Sequence, residues 1–200
     1  MIANAMTERQ RLMEILRARS IKRGEFILAS GKSSSIYIDA RLTTMSAEGL
    51  ALIGPIALRA IREAGWNIDA IGGLTLGADP IAYAIATASY STPPLVHGFT
   101  VRKELKTHGT AKLIEGPFHT GDRVVIIEDV ITTGASTIKA IEAVKSAGGN
   151  IEGVLTLVDR EDKGRELIER HGYSVISLFR LCELTQVSSP SNEISGSADV

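Results

Sequence analysis

The sequence predicts an α/β fold: a doubly wound, mainly parallel central sheet flanked by helices, with a small sheet set apart near the N-terminus. Three observations predict it. Short apolar runs rich in Val and Ile alternate with segments of helical periodicity, the pattern of βαβ units. One of those runs, Val124-Val125-Ile126-Ile127, is apolar at every position, as a strand covered on both faces must be. Several runs end in Gly-, Thr- or acid-rich turns, and the carboxyl ends of such strands are where open α/β sheets place ligands.

Taken in order, residues 8–19 set Leu12, Ile15 and Leu16 among charges, an amphipathic first helix. Residues 24–32, followed by Ile36-Tyr37-Ile38-Asp39, read as a glycine-bounded hairpin or a small sheet outside the main one. Residues 47–64 carry a long helical pattern that Gly65 closes. Residues 68–73 are a strand and its turn, and residues 80–88 a helix with Pro80 in its first turn. Residues 95–101 make the next strand, followed by a polar segment to Gly109. Residues 137–147 set polar Lys139, Glu142 and Ser146 opposite apolar Ile138, Ile141 and Val144, a helix stopped by Gly148-Gly149. Residues 154–158 and 173–178 supply two more strands around a charged helix. One domain is expected over residues 1–184, with the small sheet in about 20–42 and the core in about 45–184. From 185 to 200 Ser, Asn and Gly dominate and apolar periodicity ends, so a disordered tail is expected.

Two hundred residues suffice for one α/β domain with a sizeable core. A net charge of −1 gives no global attraction to nucleic acid or to an anionic membrane, and no apolar run reaches transmembrane length. The first residues show no basic-then-apolar signal pattern, and Met6 is an alternative start. Cys182, the sole cysteine, cannot form an intrachain disulfide and reads as a buried small hydrophobe. A cytoplasmic location is the expectation.

The stretch that carries most chemistry continues the buried run: Glu128-Asp129-Val130-Ile131-Thr132-Thr133-Gly134-Ala135-Ser136. Two adjacent carboxylates at a strand end repel unless something compensates them, and sugar hydroxyls are suited to do so. The loop that follows opens a helix, so its N–H groups and hydroxyls suit a phosphate. Acid pair and loop together point to a sugar phosphate; the competing reading is an ordinary strand-to-helix turn with a polar cap. A second constellation, Arg102-Lys103-Glu104-Leu105-Lys106-Thr107-His108-Gly109, puts three cations and a histidine within seven residues, directly after a strand. It reads either as a solvated charged loop or as a loop closing over a highly charged anion, with Gly109 as hinge. Arg160, after an apolar strand and beside Asp159, reads equally as a fork for a carboxylate or as half of a surface ion pair.

Residues 124–136 resemble the 5-phosphoribosyl 1-diphosphate (PRPP) signature of the type I phosphoribosyltransferases. Arg102, Lys103, Lys106, His108 and Gly109 are similar to the flexible catalytic loop of the orotate phosphoribosyltransferases within that family. Gly24-Glu25-Phe26-Ile27-Leu28 and Ser30-Gly31-Lys32 resemble its hood, and Leu157-Val158-Asp159-Arg160 the segment whose arginine meets the orotate carboxylate. The similarity runs in order from about Leu12 to Leu181.

The resemblance implies a type I phosphoribosyltransferase-like fold with the small sheet as hood. It implies transfer of the 5-phosphoribosyl group from PRPP to N1 of orotate, giving orotidine 5′-monophosphate and pyrophosphate in UMP synthesis. Mg²⁺ is the implied cofactor, bound mainly through PRPP. Catalysis would fall to Arg102, Lys103, Lys106 and His108, which also bind PRPP together with Glu128, Asp129, Val130, Ile131, Thr132, Thr133, Gly134, Ala135 and Ser136. Thr132 and Arg160 would bind orotate, with Tyr37 or Ile38 covering the base. The family further implies a homodimer in which each loop closes over the neighbour's active site, with no nucleic-acid or membrane partner. Two lysines that some members carry are missing: Ala29 stands before the Ser-Gly of the hood, and Gly77 stands in the loop at residues 73–80. Backbone N–H groups of residues 75–77 are the expected replacement for the second. Two other functions stay open at this point. One is phosphoribosyl transfer to another base, such as a purine; the full basic loop and Arg160 argue against it. The other is a non-catalytic, nucleic-acid-binding PRPP sensor, against which the retained loop and the neutral charge balance argue.

Overall fold

The computed structural model describes residues 6–27, 31, 33–104 and 112–186. The chain opens with helix α1 (Glu8–Arg19), started by a reciprocal cap: Gln10 N–H donates to the Thr7 hydroxyl at 3.2 Å, and Thr7 N–H to Gln10 Oε1 at 2.8 Å. Strands β1 (Ile21–Ile27) and β2 (Ser33–Ile38) then pair antiparallel as a separate two-stranded sheet, the expected hood. Such a ribbon buries too little to stand alone. Its rings of Phe26 and Tyr37 lie 5.5 Å apart, and the core holds it through the buried Ser20–Thr43 hydroxyl pair at 2.8 Å and the Asp39 N–H to Ser20 carbonyl bond at 2.9 Å.

After the short helix α2 (Arg41–Thr44) comes α3 (Ala47–Glu63), capped by Ser46, whose hydroxyl accepts from Gly49 N–H. Pro55 lies on its exposed side, while Gly54 faces the next long helix so closely that a Cβ there would stand 2.4 Å from the Ala84 carbonyl oxygen. Strand β3 (Ala70–Leu74) leads into that helix, α4 (Ala78–Ser91), and on to β4 (His97–Val101). The remainder runs β5 (Ile114–Glu115), β6 (Arg123–Ile131), α5 (Ala135–Ser146), β7 (Asn150–Asp159), α6 (Gly164–Arg170), β8 (Val175–Arg180) and α7 (Leu181–Thr185).

The main sheet has the order β5-β4-β3-β6-β7-β8, parallel throughout except for the antiparallel β4–β5 edge. The alternation of β6 explains its uninterrupted apolar sequence. Val125 and Ile127 pack into the core that contains α1, α3 and α4; Val124 and Ile126 pack into the opposite core with α5 and α6. All four are fully buried. The chain winds outward from β3 to β4, then returns to start β6 on the other side of β3. The carboxyl ends of β3 and β6 therefore flank a topological switch point, the place where such sheets open a crevice. At the opposite edge of the sheet, the Arg123 guanidinium and N–H groups hold the Asp69 carboxyl, lowering its pKa to about 2.

Some local expectations change. Helix α5 begins at Ala135, two residues early, and its buried stripe is Thr137, Ala140, Ile141 and Val144, with Ile138 only partly covered. Thr137 can be buried because its hydroxyl donates to Glu128 Oε2 at 2.9 Å. Cys182 is half-buried, not a core residue: its backbone N–H and thiol both turn to the Glu161 carboxylate. Helix α7 takes in Thr185, where the tail was expected to start; residues 187–200 lie outside the described residues. Among the described residues, no helix is long and apolar enough to cross a membrane.

Candidate active site

The switch point holds a cleft of about 290 Å³. Its floor is the end of β6, where Glu128, Asp129 and Val130 emerge half-buried. One wall is the turn after β3, residues 74–77; the other is the end of the hood, from Tyr37 to Arg41, with Lys103 and Ser136 at the rim. A larger groove of about 450 Å³ along β5 and the end of α5 brings no carboxylates together, so chemistry and not volume locates the site.

The acid pair is held by few partners. Glu128 accepts from Thr137, and Asp129 Oδ1 accepts from the Val130 N–H at 2.9 Å. Burial, together with the neighbouring Asp129 charge, pushes the Glu128 carboxyl from its ordinary 4.5 up to about 8. Burial also raises Asp129, against the N–H of Val130 and the more distant charge of Arg41. Burial and mutual repulsion thus oppose full ionisation of the pair in the free protein, and opposite charge or hydroxyl donors would relieve that opposition. Arg41 itself is committed to Asp39 through two bonds of 2.8 and 3.0 Å.

The loop after β6 is built to approach an anion. Gly134, at φ 80°, turns the chain into α5 without a side chain of its own to cap it, and the Ala135 N–H makes only a long bond, 3.5 Å, to the Thr133 hydroxyl. Thr133, Ala135 and Ser136 are exposed, so the amino end of α5 faces solvent with its N–H groups available. Across the cleft, the turn after β3 comes so close to the acid pair that a Cβ on Gly77 would stand 2.5 Å from Asp129 Oδ1. This contact accounts for the glycine where a lysine was noted as missing.

Of the basic segment, Lys103 lines the cleft of its own chain. Arg102 instead turns toward Glu115 on β5 at 3.8 Å. Lys106, His108 and Gly109 lie outside the described residues, as does Ala29. Arg160 is almost fully buried and spends its fork on the hood, donating to the Ile36 carbonyl at 3.3 Å and to the Ser34 hydroxyl at 3.2 Å, with Nε on Asp162. Thr132, half-buried, and Ile131, fully buried, support the loop from below. Tyr37 and Ile38 do line the cleft.

Sequence reasoning missed a polar chain behind the β3 turn. Asp79, in the first turn of α4, accepts from Thr75 at 2.6 Å and from Thr100 at 2.9 Å, and Thr100 meets the Tyr83 hydroxyl at 2.5 Å. It ties the β3 turn to the strand that leads into Lys103. The only sequence signal was an acid placed beside a first-turn proline.

The raised Glu128 pKa has a stability consequence with a definite sign. Between about pH 4.5 and 8 the folded chain binds more protons here than the unfolded one, so this site's contribution falls as pH rises. Glu128→Gln keeps an acceptor for Thr137 and removes the charge. Urea unfolding at pH 5 and pH 8.5 should show the variant gaining stability on wild type at the higher pH; a constant difference would mean that Glu128 titrates normally.

Residues 46–179 match the phosphoribosyl transferase domain family. The orotate phosphoribosyltransferase of Aquifex aeolicus is 46% identical, over 90% of this chain and 98% of that protein. The crystal structure of Mycobacterium tuberculosis orotate phosphoribosyltransferase in complex with Fe(III) dicitrate superposes with a TM-score of 0.79 at 40% identity, covering 90% of this chain and 100% of the other. The same enzyme in complex with PRPP gives 0.76 at 37% identity, with the same coverage. On this similarity, along nearly the whole length of both chains, the protein belongs to the orotate phosphoribosyltransferase family.

Proposed function

We propose that this protein transfers the 5-phosphoribosyl group of PRPP to N1 of orotate, giving orotidine 5′-monophosphate and pyrophosphate, a step of pyrimidine synthesis. One observation carries the reading: the half-buried acid pair, the uncapped end of α5 and Lys103 meet at a single switch point. Each matches one part of PRPP. The exposed N–H groups and hydroxyls of residues 133–136 suit the 5′-phosphate. The Glu128 and Asp129 carboxylates suit the ribose hydroxyls, and the β3 turn with Lys103 suits the diphosphate.

The C1–O bond to pyrophosphate breaks as the bond from orotate N1 to C1 forms, and the proton that N1 gives up passes to solvent. Positive charge develops at C1, where the carboxylates of β6 oppose it, while negative charge grows on the leaving pyrophosphate. Lys103, Arg102 and Lys106 take up that negative charge, and His108 donates to a pyrophosphate oxygen. Arg160 and Thr132 receive orotate beneath Tyr37 and Ile38; Arg160 would exchange its bonds to the hood for the orotate carboxylate. Mg²⁺ belongs to this reading. It would be held mainly through ribose and diphosphate oxygens of PRPP, since among the described residues no group of three or more His, Cys, Asp or Glu side chains comes together to hold a metal. When bound, it supplies neutralising charge to the diphosphate. A cytoplasmic location and a single domain over residues 1–184 go with the same reading.

The direct test is the loss of orotate absorbance with PRPP and Mg²⁺, run beside adenine, hypoxanthine and uracil. PRPP-dependent loss of orotate alone is the expected result, and turnover of a purine instead would overturn the choice of base. Lys103 is exposed, so Lys103→Ala should leave stability unchanged while costing roughly 2.7–4 kcal/mol of transition-state stabilisation, about 10²–10³ in kcat.

We further propose a homodimer with shared sites. Lys103 already lines its own chain's cleft, so the shared contribution would come from farther along the loop. Mixing Lys106→Ala with Arg160→Ala subunits should recover activity that neither has alone. No recovery, with hybrid dimers verified, would mean self-contained sites.

A further inference from the structure

We infer that Gly164 is a positioning residue for the phosphate loop, acting through Thr132 and Gly134; the inference rests on the proposed use of that loop. Gly164 opens α6 and lies thirty residues from the loop in sequence, yet their backbones touch. A Cβ on Gly164 would stand 2.4 Å from the Thr132 carbonyl oxygen, 2.6 Å from Ile131 Cγ2 and 2.8 Å from the Gly134 nitrogen. The contact is mutual: a Cβ on Gly134 would stand 2.8 Å from the Gly164 carbonyl oxygen. Two glycines thus form a backbone-to-backbone wall behind the anion loop.

The two glycines are required for different reasons. Gly134 adopts φ 80°, where any side chain is strained. Gly164 has an ordinary φ, so its own backbone conformation does not call for glycine. What excludes alanine there is contact with the loop, at the Thr132 carbonyl oxygen and the Gly134 nitrogen, and with Ile131 Cγ2 at the end of β6.

Which side would yield to an added methyl is decided by the anchoring. Arg165, the next residue, fixes the start of α6 through Asp159 at 2.8 Å, the Val175 carbonyl at 2.7 Å and the Ser177 hydroxyl at 2.8 Å. The Asp159 side chain in that pair is 4% exposed, so the anchor is costly to break. Before Gly164, Glu161 (φ 63°) and Lys163 (φ 70°) hold left-handed conformations, and Glu161 is tied to Cys182. Thr133, Ala135 and Ser136 have no comparable cover. The loop gives way and α6 stays. The N–H groups that meet the phosphate are displaced, while the acid pair and Lys103 are left in place.

The experiment compares wild type, Gly164→Ala and Gly172→Ala. Gly172 (φ 87°) lies just beyond the other end of α6 with nothing near its Cβ position, so alanine there strains α6 without touching the loop. Calorimetry with ribose 5-phosphate as the probe reads the loop without requiring turnover, and initial rates give KM and kcat. The expected result for Gly164→Ala is a rise of about tenfold or more in the ribose 5-phosphate Kd and the PRPP KM. The orotate KM should stay within twofold and kcat should fall less than KM rises. Gly172→Ala should lose stability and keep both constants. Unchanged phosphate affinity in Gly164→Ala, or equal weakening in the two variants, would overturn the inference. A wild type that turns over no orotate would defeat the proposed reaction separately, because the ribose 5-phosphate comparison still decides the role of Gly164.

Discussion

Two adjacent carboxylates at the end of a strand buried on both faces are the constraint around which the rest of the molecule is arranged. The sheet gives Glu128 and Asp129 no full countercharge: one threonine hydroxyl, one N–H and a guanidinium already committed elsewhere. Such a pair is expensive to hold ionised in a half-buried place. The fold accepts that cost at the switch point, where in the proposed reaction an arriving sugar would supply hydroxyls. Instability of the empty site and affinity for the ligand have the same origin.

The neighbouring elements follow from it. Gly77 packs closely against the Asp129 carboxyl, so that any side chain there would have to displace it, and Asp79 with Thr75 and Thr100 holds the turn after β3 by hydrogen bonds. The phosphate loop crosses between the acid pair and α6, and glycines on both sides set its distance from the helix. Arg160, on the loop that leads to α6, joins the hood to the same edge of the sheet. In the proposed reaction, base, sugar and phosphate would thus all rest on one continuous stretch, residues 128–165.

Much of this was legible in the sequence because the signals were local. The alternation of Val- and Ile-rich runs with helical periods located the parallel strands, and the acid pair followed by Thr-Thr-Gly-Ala-Ser located the turn from β6 into α5 within two residues. What escaped was set by tertiary contact. Thr137 is polar yet buried, because Glu128 consumes its hydroxyl, and that displaced the apparent apolar stripe of α5. Gly164 carries no motif, and its meaning lies in the carbonyl of Thr132, far away in sequence. The two-residue strand β5 is too short for any periodicity to mark it. Spacing left Arg160 open between a fork for a carboxylate and a surface ion pair, and could not say that its guanidinium would be buried and donate to the hood.

The central claim is that the acid pair holds a proton that substrate discharges. Calorimetric titration of PRPP with Mg²⁺ near pH 7, in buffers of different ionisation enthalpy, counts the protons exchanged on binding. Wild type should release close to one proton more than Glu128→Gln, since Glu128 stands at about 8 in the free protein and ribose hydroxyls favour its ionised form. Equal proton counts for the two proteins would contradict the account and leave Glu128 a structural carboxylate.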